Sequence, residues 1–392
     1  MILLTNVIRD EKLKAALNEI YFNQRAEQEI TEAQLASLKG AVYLEKKEIK
    51  DLTGINYATN LTGLYLNHNQ NNDLTPLREL QNLEQLSVMN NQVKDLRPLS
   101  SLKKLQSLNV SQNIIQSLWP LTKLKELVTL FLDDNPLQSF DELRFMKQLS
   151  LLSMMRVGIS NLNIIKSLVN LEVLYLDENN IQSLEPLKDL YLLYQLNING
   201  NQVADLKPLT GLKHLCILFA NRNQIKSIEP LKKMKQLQFL DLNYNQIEDL
   251  EPLAKVESLE ALSVMYNRVK TLTPIMNLPH LLALLAQGNQ INSIQGLKTL
   301  PIISIENQLI EWIVPMNHNS NRLGLKGQLI DLDGNVPHIT TMIPKSARYD
   351  SETNQLELTD SLTNQIKIFF HNQNQEIPFS GELQISINQI QS

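Results

Sequence analysis

The sequence predicts a solenoid of about eleven stacked 22-residue coils carrying a parallel β-sheet, with a helical cap before it and an all-β domain after it. Leucine recurs at one fixed interval through Leu61, Leu83, Leu105, Leu127, Leu149, Leu171, Leu193, Leu215, Leu237, Leu259 and Leu281. Each interval also repeats one apolar phrase, complete in LEVLYLDENNIQSLEPLKDL from Leu171. Finally, the repeat is absent at both ends, where a helical spacing and then a series of strand-like runs replace it.

Within a coil, LYL alternates with period two, so Leu174 and Leu176 face inward and Tyr175 faces out. Asn179 meets a turn, where its amide can donate to and accept from backbone groups that no strand partner satisfies. Pro186 marks the end of the phrase. This is the leucine-rich-repeat pattern in its short bacterial form. A single coil cannot bury its own leucines, but neighbours stacked on both sides enclose them in one continuous core.

Residues 1–40 form the expected helical cap. Leu13, Ala16, Leu17 and Ile20 follow helical spacing, and Thr31 with Gln34 resembles a capping box opening a second helix. Val42, Leu44, Ile49 and Leu52 read as a half-coil that joins cap to array. The solenoid occupies 41–302. From about residue 303 the texture changes to LIEWIVP, GQLIDLDG, QLELT, QIKIFF and ELQISI, separated by turn residues such as Asp333, Gly334 and Asn335. Five or more short strands in 303–392 predict an immunoglobulin-like β-sandwich that closes the second open end, with Trp312 packed in its core.

Composition narrows the function. A net charge of −5 gives no general attraction to nucleic acid or an anionic membrane. The single cysteine, Cys216, excludes an internal disulfide framework and reads as a packed thiol. No stretch reads as a signal peptide or a transmembrane segment. GxSxG, HExxH, Walker and dinucleotide motifs are missing, and the six histidines lack ligand spacing. The expectation is a non-enzymatic protein with no cofactor, no metal site and no catalytic residues.

The cap, the coils ending in LxPL (LEPL at Leu184, LKPL at Leu206, LEPL at Leu250), the opening TNLTGLYLNHNQ from Thr59 and the closing FSGELQISI resemble the internalin family of Gram-positive bacterial surface proteins. The resemblance covers essentially the whole chain. It implies secretion or surface display, a host-cell protein as partner, and adhesion, invasion or interference with host signalling as the outcome. It says nothing about the target, because such proteins share a scaffold and differ in the exposed face. The chain departs from the family in having no cell-wall sorting motif, wall-binding repeats or signal peptide. A cytoplasmic scaffold that regulates a partner enzyme, as leucine-rich subunits of protein phosphatases do, is the alternative. A monomer is expected, and a spacer with no groove ligand is a third reading.

Four positions per coil should face the concave side, giving 44 over eleven coils. They hold seven aromatics, Tyr65, Phe131, Tyr175, Phe219, Phe239, Tyr244 and Tyr266, where a random draw from a chain with 21 aromatics among 392 residues would place about two. They hold no lysine, and only two arginines, Arg156 and Arg222, whereas lysines crowd flanks such as LKKMKQL from Leu231. Aromatic and arginine enrichment with lysine depletion is the composition of a protein-binding surface. The expected contact set is these seven rings with Met155, Arg156, Asp177, Arg222 and Asp241. The acids Asp133, Asp134, Asp177, Glu178 and Asp241 outnumber the arginines, so the partner should be modestly basic.

Cross-strand packing alone is the plainer account of the rings. Asp134, Arg156 and Glu178 occupy one site on three successive coils and should form an acid-base-acid ladder, although an exposed ion pair contributes only about 0 to 1 kcal/mol. Coils four and five break the phrase: Glu142 and Ile164 replace proline, Phe140 replaces leucine, and Val157 stands at the asparagine position. Asn71 is a similar departure in the first coil.

Overall fold

A computed structural model of the chain describes residues 7–298, 300–316, 322–325, 327–344, 347–358, 365–372 and 377–389. Residues 1–6 of the expected cap and Thr359, which ends the expected QLELT strand, lie outside the described residues. The chain divides into two compact units, Met1–Asn201 and Gln202–Ser392.

The first unit opens with helix α1, Glu11–Leu17. Its N-cap is Asp10, whose Oδ1 accepts the N–H groups of Lys12 and Leu13 at 2.9 Å. The other carboxylate oxygen accepts from Lys50 and Asp51, so one side chain both starts the helix and fastens it to the first half-coil. Helix α2, Glu32–Ser37, carries the expected capping box between Thr31 and Gln34. Leu13, Ala16 and Leu17 are buried, but Ile20 is 47% exposed. The helical spacing fails there because Asn18–Phe22 widens into a π-helical turn, which rotates Ile20 out of register.

The strands of this unit are β1 (Gly40–Tyr43), β2 (Leu61–Tyr65), β3 (Gln85–Ser87), β4 (Ser107–Asn109), β5 (Thr129–Phe131), β6 (Leu151–Ser153), β7 (Val173–Tyr175) and β8 (Gln195–Asn197). They pair in parallel and in sequence order. The β7–β8 register sets Leu174 against Leu196 and Tyr175 against Asn197, so equivalent residues form columns across the coils. Each repeat leucine of both units is at most 7% exposed, and burying one stabilises by about 2 kcal/mol. Coils return through short 3₁₀ helices such as Glu185–Leu187, with proline in the first turn where its missing N–H costs nothing. A Ser, Asp or Thr two residues earlier supplies an acceptor, as Ser183 does for Glu185. The coil with Ile164 in place of proline keeps the same cap with asparagine as the acceptor, the side chain of Asn161 accepting from the Asn163 N–H.

The asparagine column is the second support. The Nδ2 of Asn179 donates to the carbonyls of Met154, Leu176 and Asp177, and its Oδ1 accepts backbone N–H groups of the preceding coil. Asn69, Asn91, Asn113, Asn135 and Asn201 repeat the arrangement. At Val157 the ladder is interrupted. The Leu137 N–H instead bonds locally to the Asn135 carbonyl, and Leu137 and Phe140 are left half-buried. Asn71 is fully buried and bonds to Asn91 through its N–H and Nδ2, so it extends the polar column sideways into the core.

The second unit is built of the same kind of coil, with β9 (Ile217–Phe219), β10 (Phe239–Asp241), β11 (Ala261–Ser263) and β12 (Ala283–Leu285) paired in parallel. Strand β13, Ile302–Met316, belongs to two structures. Its first residues pair with β12, and Ile305–Met316 pair in parallel with β19, Phe379–Gln389. Strands β14 (Arg322–Gly324), β15 (His338–Ile343), β16 (Ala347–Asp350), β17 (Gln355–Leu358) and β18 (Gln365–His371) complete the region. Strands β13, β19, β18 and β15 form one sheet and β14, β17 and β16 another, an arrangement compatible with an immunoglobulin-like sandwich. Ile366, Ile368, Phe370, Phe379, Leu383 and Ile385 are buried, whereas Trp312 is only half-buried. GQLIDLDG does not form a strand. Asp331 accepts the N–H groups of Asp333 and Asn335 and closes a turn there, leaving a single bridge from Ile330 to Ser293.

Candidate protein-binding face

The strand residues that point away from the leucine core, with the second and third residues after each strand, form the outward face of each unit. The third residue after the strand adopts a left-handed backbone in every coil. In the first unit, φ is 56° at His68, 53° at Asn90, 57° at Gln112, 54° at Asp134, 53° at Arg156 and 54° at Glu178. The side chains of this column therefore leave the backbone in a common direction and lie against one another from coil to coil.

In the first unit Tyr65 is half-buried because it stacks on Tyr43, with ring centroids 4.7 Å apart and planes 9° from parallel. Burial pushes the Tyr65 phenol up from its ordinary value. Tyr43 is 52% exposed, and its N–H donates to the Tyr21 hydroxyl at 2.5 Å. Phe131, Met155 and Tyr175 are half-buried on the same face. Arg156 grips Asp134 in a bidentate pair, Nε to Oδ1 and NH2 to Oδ2 at 2.7 Å each. That guanidinium holds the Asp134 carboxyl below its usual range. The expected three-member ladder is only this pair: Glu178 makes no ion pair with Arg156 and folds over Gly200, where the missing Cβ leaves room for its carboxylate.

Asp177 is not presented to solvent; it is 5% exposed. Its Oδ1 accepts from the N–H and Nδ2 of Asn199 at 3.0 and 2.5 Å, while Oδ2 has no partner. Burial raises its carboxyl above the usual value. Asp177 belongs to a second polar column running beneath the outward side chains. There Asp133 accepts from Ser153 and Met155, and Asn67 from Ser87 and Met89.

The second unit has a different face. Phe219 is half-buried and Phe239 is 37% exposed. Asp241 receives Asn221 Nδ2 at 2.8 Å, and burial raises its carboxyl. In the left-handed column, φ is 53° at Arg222, 55° at Tyr244, 55° at Tyr266 and 66° at Gly288. The guanidinium of Arg222 lies 5.6 Å from the Tyr244 ring centre, and Tyr244 stacks on Tyr266 at 4.5 Å with an interplanar angle of 14°. Both rings are nearly half exposed. Four of the five acids at these positions, Asp133, Asp134, Asp177 and Glu178, lie in the first unit, and in the second Arg222 and Asp241 balance, so its face is aromatic and close to electrically neutral.

The twelve residues singled out in the sequence thus fall into two sets, six in each unit. Two features escaped the sequence reading. Tyr43 lies one coil before Tyr65, a signal hidden by treating its coil as a mere junction. Away from the strand face, Trp119 and Phe145 are 59% and 47% exposed and meet edge to face, with Arg144 4.9 Å over the Phe145 ring. Among the described residues there is no group of three or more His, Cys, Asp or Glu side chains arranged to hold a metal ion, and no helix long and apolar enough to cross a membrane.

The coils and their columns, with an N-terminal helix and a C-terminal strand-rich region, define a leucine-rich-repeat solenoid. The family model described as leucine-rich repeats (2 copies) matches residues 81–125, 169–214 and 213–255. No curated protein matches the sequence. Among solved structures, the internalin InlF of Listeria monocytogenes is 26% identical, with 77% of this chain and 90% of that one covered and a TM-score of 0.72. A leucine-rich-repeat protein of Leptospira interrogans is 25% identical, with coverage of 72% and 81% and a TM-score of 0.62. The functional domain of Listeria monocytogenes InlJ is 20% identical over 98% of both chains, with a TM-score of 0.64, which shows a shared fold.

Proposed function

We propose that this chain is a non-enzymatic protein-binding module that engages a host-cell protein through the outward rings of its coil strands, in adhesion, invasion or interference with signalling. The observation that carries the reading is the exposure of Phe239, Tyr244 and Tyr266, three large rings held on a scaffold whose own core is already filled. Exposed aromatics beside an arginine, on backbone fixed by ladders of hydrogen bonds, lose little freedom on binding and shed much apolar surface. Phe131, Tyr175, Phe219, Phe239, Tyr244 and Tyr266 are the anchors, and Arg156 and Arg222 set orientation. Tyr65 and Met155 extend the contact, while Asp177 and Asp241 act from beneath it. Residues 41–302 are the binding part, with 1–40 and 303–392 closing its ends.

The likeness to internalins supports a secreted or surface-displayed protein. The experiment is capture from a host-cell surface extract by the wild-type chain and by a Tyr175→Ala/Phe219→Ala variant. A protein retained by the first and lost by the second supports the proposal. Equal retention by both refutes the anchor assignment.

A further inference from the structure

We infer that the second unit carries a slot for an extended, acidic and otherwise apolar peptide segment, walled by Arg222, Tyr244 and Tyr266 and shaped by Gly288. This rests on the protein-binding reading above and gives its partner a chemistry.

The wall follows from the left-handed column. Each of its residues sits one coil from the next, and neighbouring strands are about 4.8 Å apart, so planar side chains can stack at the coil pitch. Tyr244 and Tyr266 do so at 4.5 Å, and Arg222 extends the stack on the far side of Tyr244. The stack needs an end where the last ring can lie down. Gly288 supplies it: a Cβ there would stand 2.5 Å from Cδ1 and 2.8 Å from Cε1 of Tyr266. The first unit applies the same rule independently, with Glu178 lying over Gly200. Gly288 is therefore a positioning residue for Tyr266.

The floor beside the wall is formed by Ala261, Ser263, Ala283 and Leu285, all half-buried, and exposed Phe239 stands one coil earlier in register with Ala261. The Ser263 hydroxyl is committed to Asn243 Oδ1 at 2.7 Å, so the floor offers apolar contact. The wall offers donors. Among the described residues Arg222 makes no ion pair, and the hydroxyls of Tyr244 and Tyr266 make no hydrogen bond. Asp241 is engaged by Asn221 and does not neutralise the arginine. The Arg222 guanidinium can only donate and the two phenols donate as well as accept, so a wall of this kind over an apolar floor fits a ligand that brings a carboxylate for Arg222 and backbone carbonyls for the phenols. Arg222 to Gly288 spans three coil intervals, about 14 Å, the reach of roughly four extended residues.

The test uses the full chain with ring-¹³C tyrosine and three sets of acetylated, amidated hexapeptides with the same apolar residues and Glu, Gln or Lys at the variable position. The Glu set should shift the Tyr244 and Tyr266 ring signals saturably and bind at least tenfold more tightly than the Lys set. Arg222→Gln should erase that preference. Gly288→Ala should move the Tyr266 signal in the free protein and weaken the Glu set at least fivefold, whereas Gly200→Ala should do neither. Tyr266→Leu, which removes the ring without altering the glycine, should weaken the Glu set to a similar extent. Failure of every set to bind, equal binding of acidic and basic sets, or an unmoved Tyr266 in Gly288→Ala overturns the slot. A captured protein that depends on Phe131 or Phe219 but not on Tyr266 overturns the slot alone, and one indifferent to every outward ring overturns the protein-binding reading with it.

Discussion

Asn179 Oδ1 accepts the backbone N–H of Val157 at 3.2 Å, and with it those of Gly158 and Ile159 at 2.9 and 3.2 Å. Asn201, one coil later, accepts one such N–H, from Ile181 at 3.0 Å. Asn179 therefore organises the turn in the coil that lacks its own asparagine. Asn179→Ala should destabilise by about 3 kcal/mol and Asn201→Ala by about 1 kcal/mol less, because each orphaned buried group adds a desolvation cost. Urea unfolding of both variants checks the difference; equal losses would mean that the three-way acceptance contributes nothing.

Gln308 takes the place of the asparagine after the last regular coil. It donates to the carbonyls of Ala286, Ile305 and Glu306 and accepts from the Ile291 N–H at 2.9 Å, as an asparagine does elsewhere. It lies 19 residues beyond Asn289 instead of 22, and the extra methylene suits the altered path. Gln308→Asn should cost about 2 kcal/mol, since the shorter amide cannot serve both sides of the turn. Hydrogen exchange at the Ile291 amide should quicken in that variant and stay unchanged at Val269, whose acceptor is Asn289.

Residues with a fixed spacing and a fixed type were readable in the sequence. The repeat leucines, the asparagine column and the Thr31/Gln34 capping box follow from local rules, and so does the outward direction of Tyr175. Gln308 was hidden because spacing and residue type change together. Ile20 was misread because a π-turn alters the helical period without a sequence mark. The left-handed column is spelled by residues as different as His68, Arg156 and Tyr266, so only Gly200 and Gly288 hinted at it. Burial of Asp177 depends on what neighbouring coils place over it, which a residue-by-residue reading does not contain.

Asp177 gives a pH prediction. Burial raises its carboxyl in the folded protein, so the folded state binds its proton more readily than the unfolded chain does. The resulting stabilisation is present at low pH and is lost as pH rises through the raised folded value. Asparagine already occupies this column at Asn67, Asn199, Asn221 and Asn243 and can accept from Asn199 as Asp177 does. Asp177→Asn should therefore stabilise at pH 7 by about 1 kcal/mol, with the gap closing as the pH falls into the carboxylate range. Asp134 has the opposite sign. Arg156 lowers its carboxyl, so the pair's contribution is present at neutral pH and lost as pH falls through the lowered value. Because Arg156 is 44% exposed, Asp134→Asn should cost under about 1 kcal/mol at pH 7. Thermal melts across pH 3 to 7 would refute the assignment if the Asp177→Asn advantage grew toward acid.

Leu174 and Tyr175 are consecutive on β7 and point to opposite faces, so they separate folding from recognition. Leu174 is fully buried, and Leu174→Ala should cost about 3 kcal/mol through the lost transfer energy and the cavity left behind. Tyr175 is half-buried on the outward face and supports no part of the leucine core. Tyr175→Ala should cost under about 1 kcal/mol of stability, yet weaken capture of a protein partner by about tenfold or more if the ring is an anchor. Stability comes from denaturant unfolding, and binding from titration of the captured protein. The informative comparison is the ratio of the two effects in each variant, because a general loosening of the coil would lower both together. A Tyr175→Ala variant as unstable as Leu174→Ala would place the ring in the scaffold and remove it from the binding face.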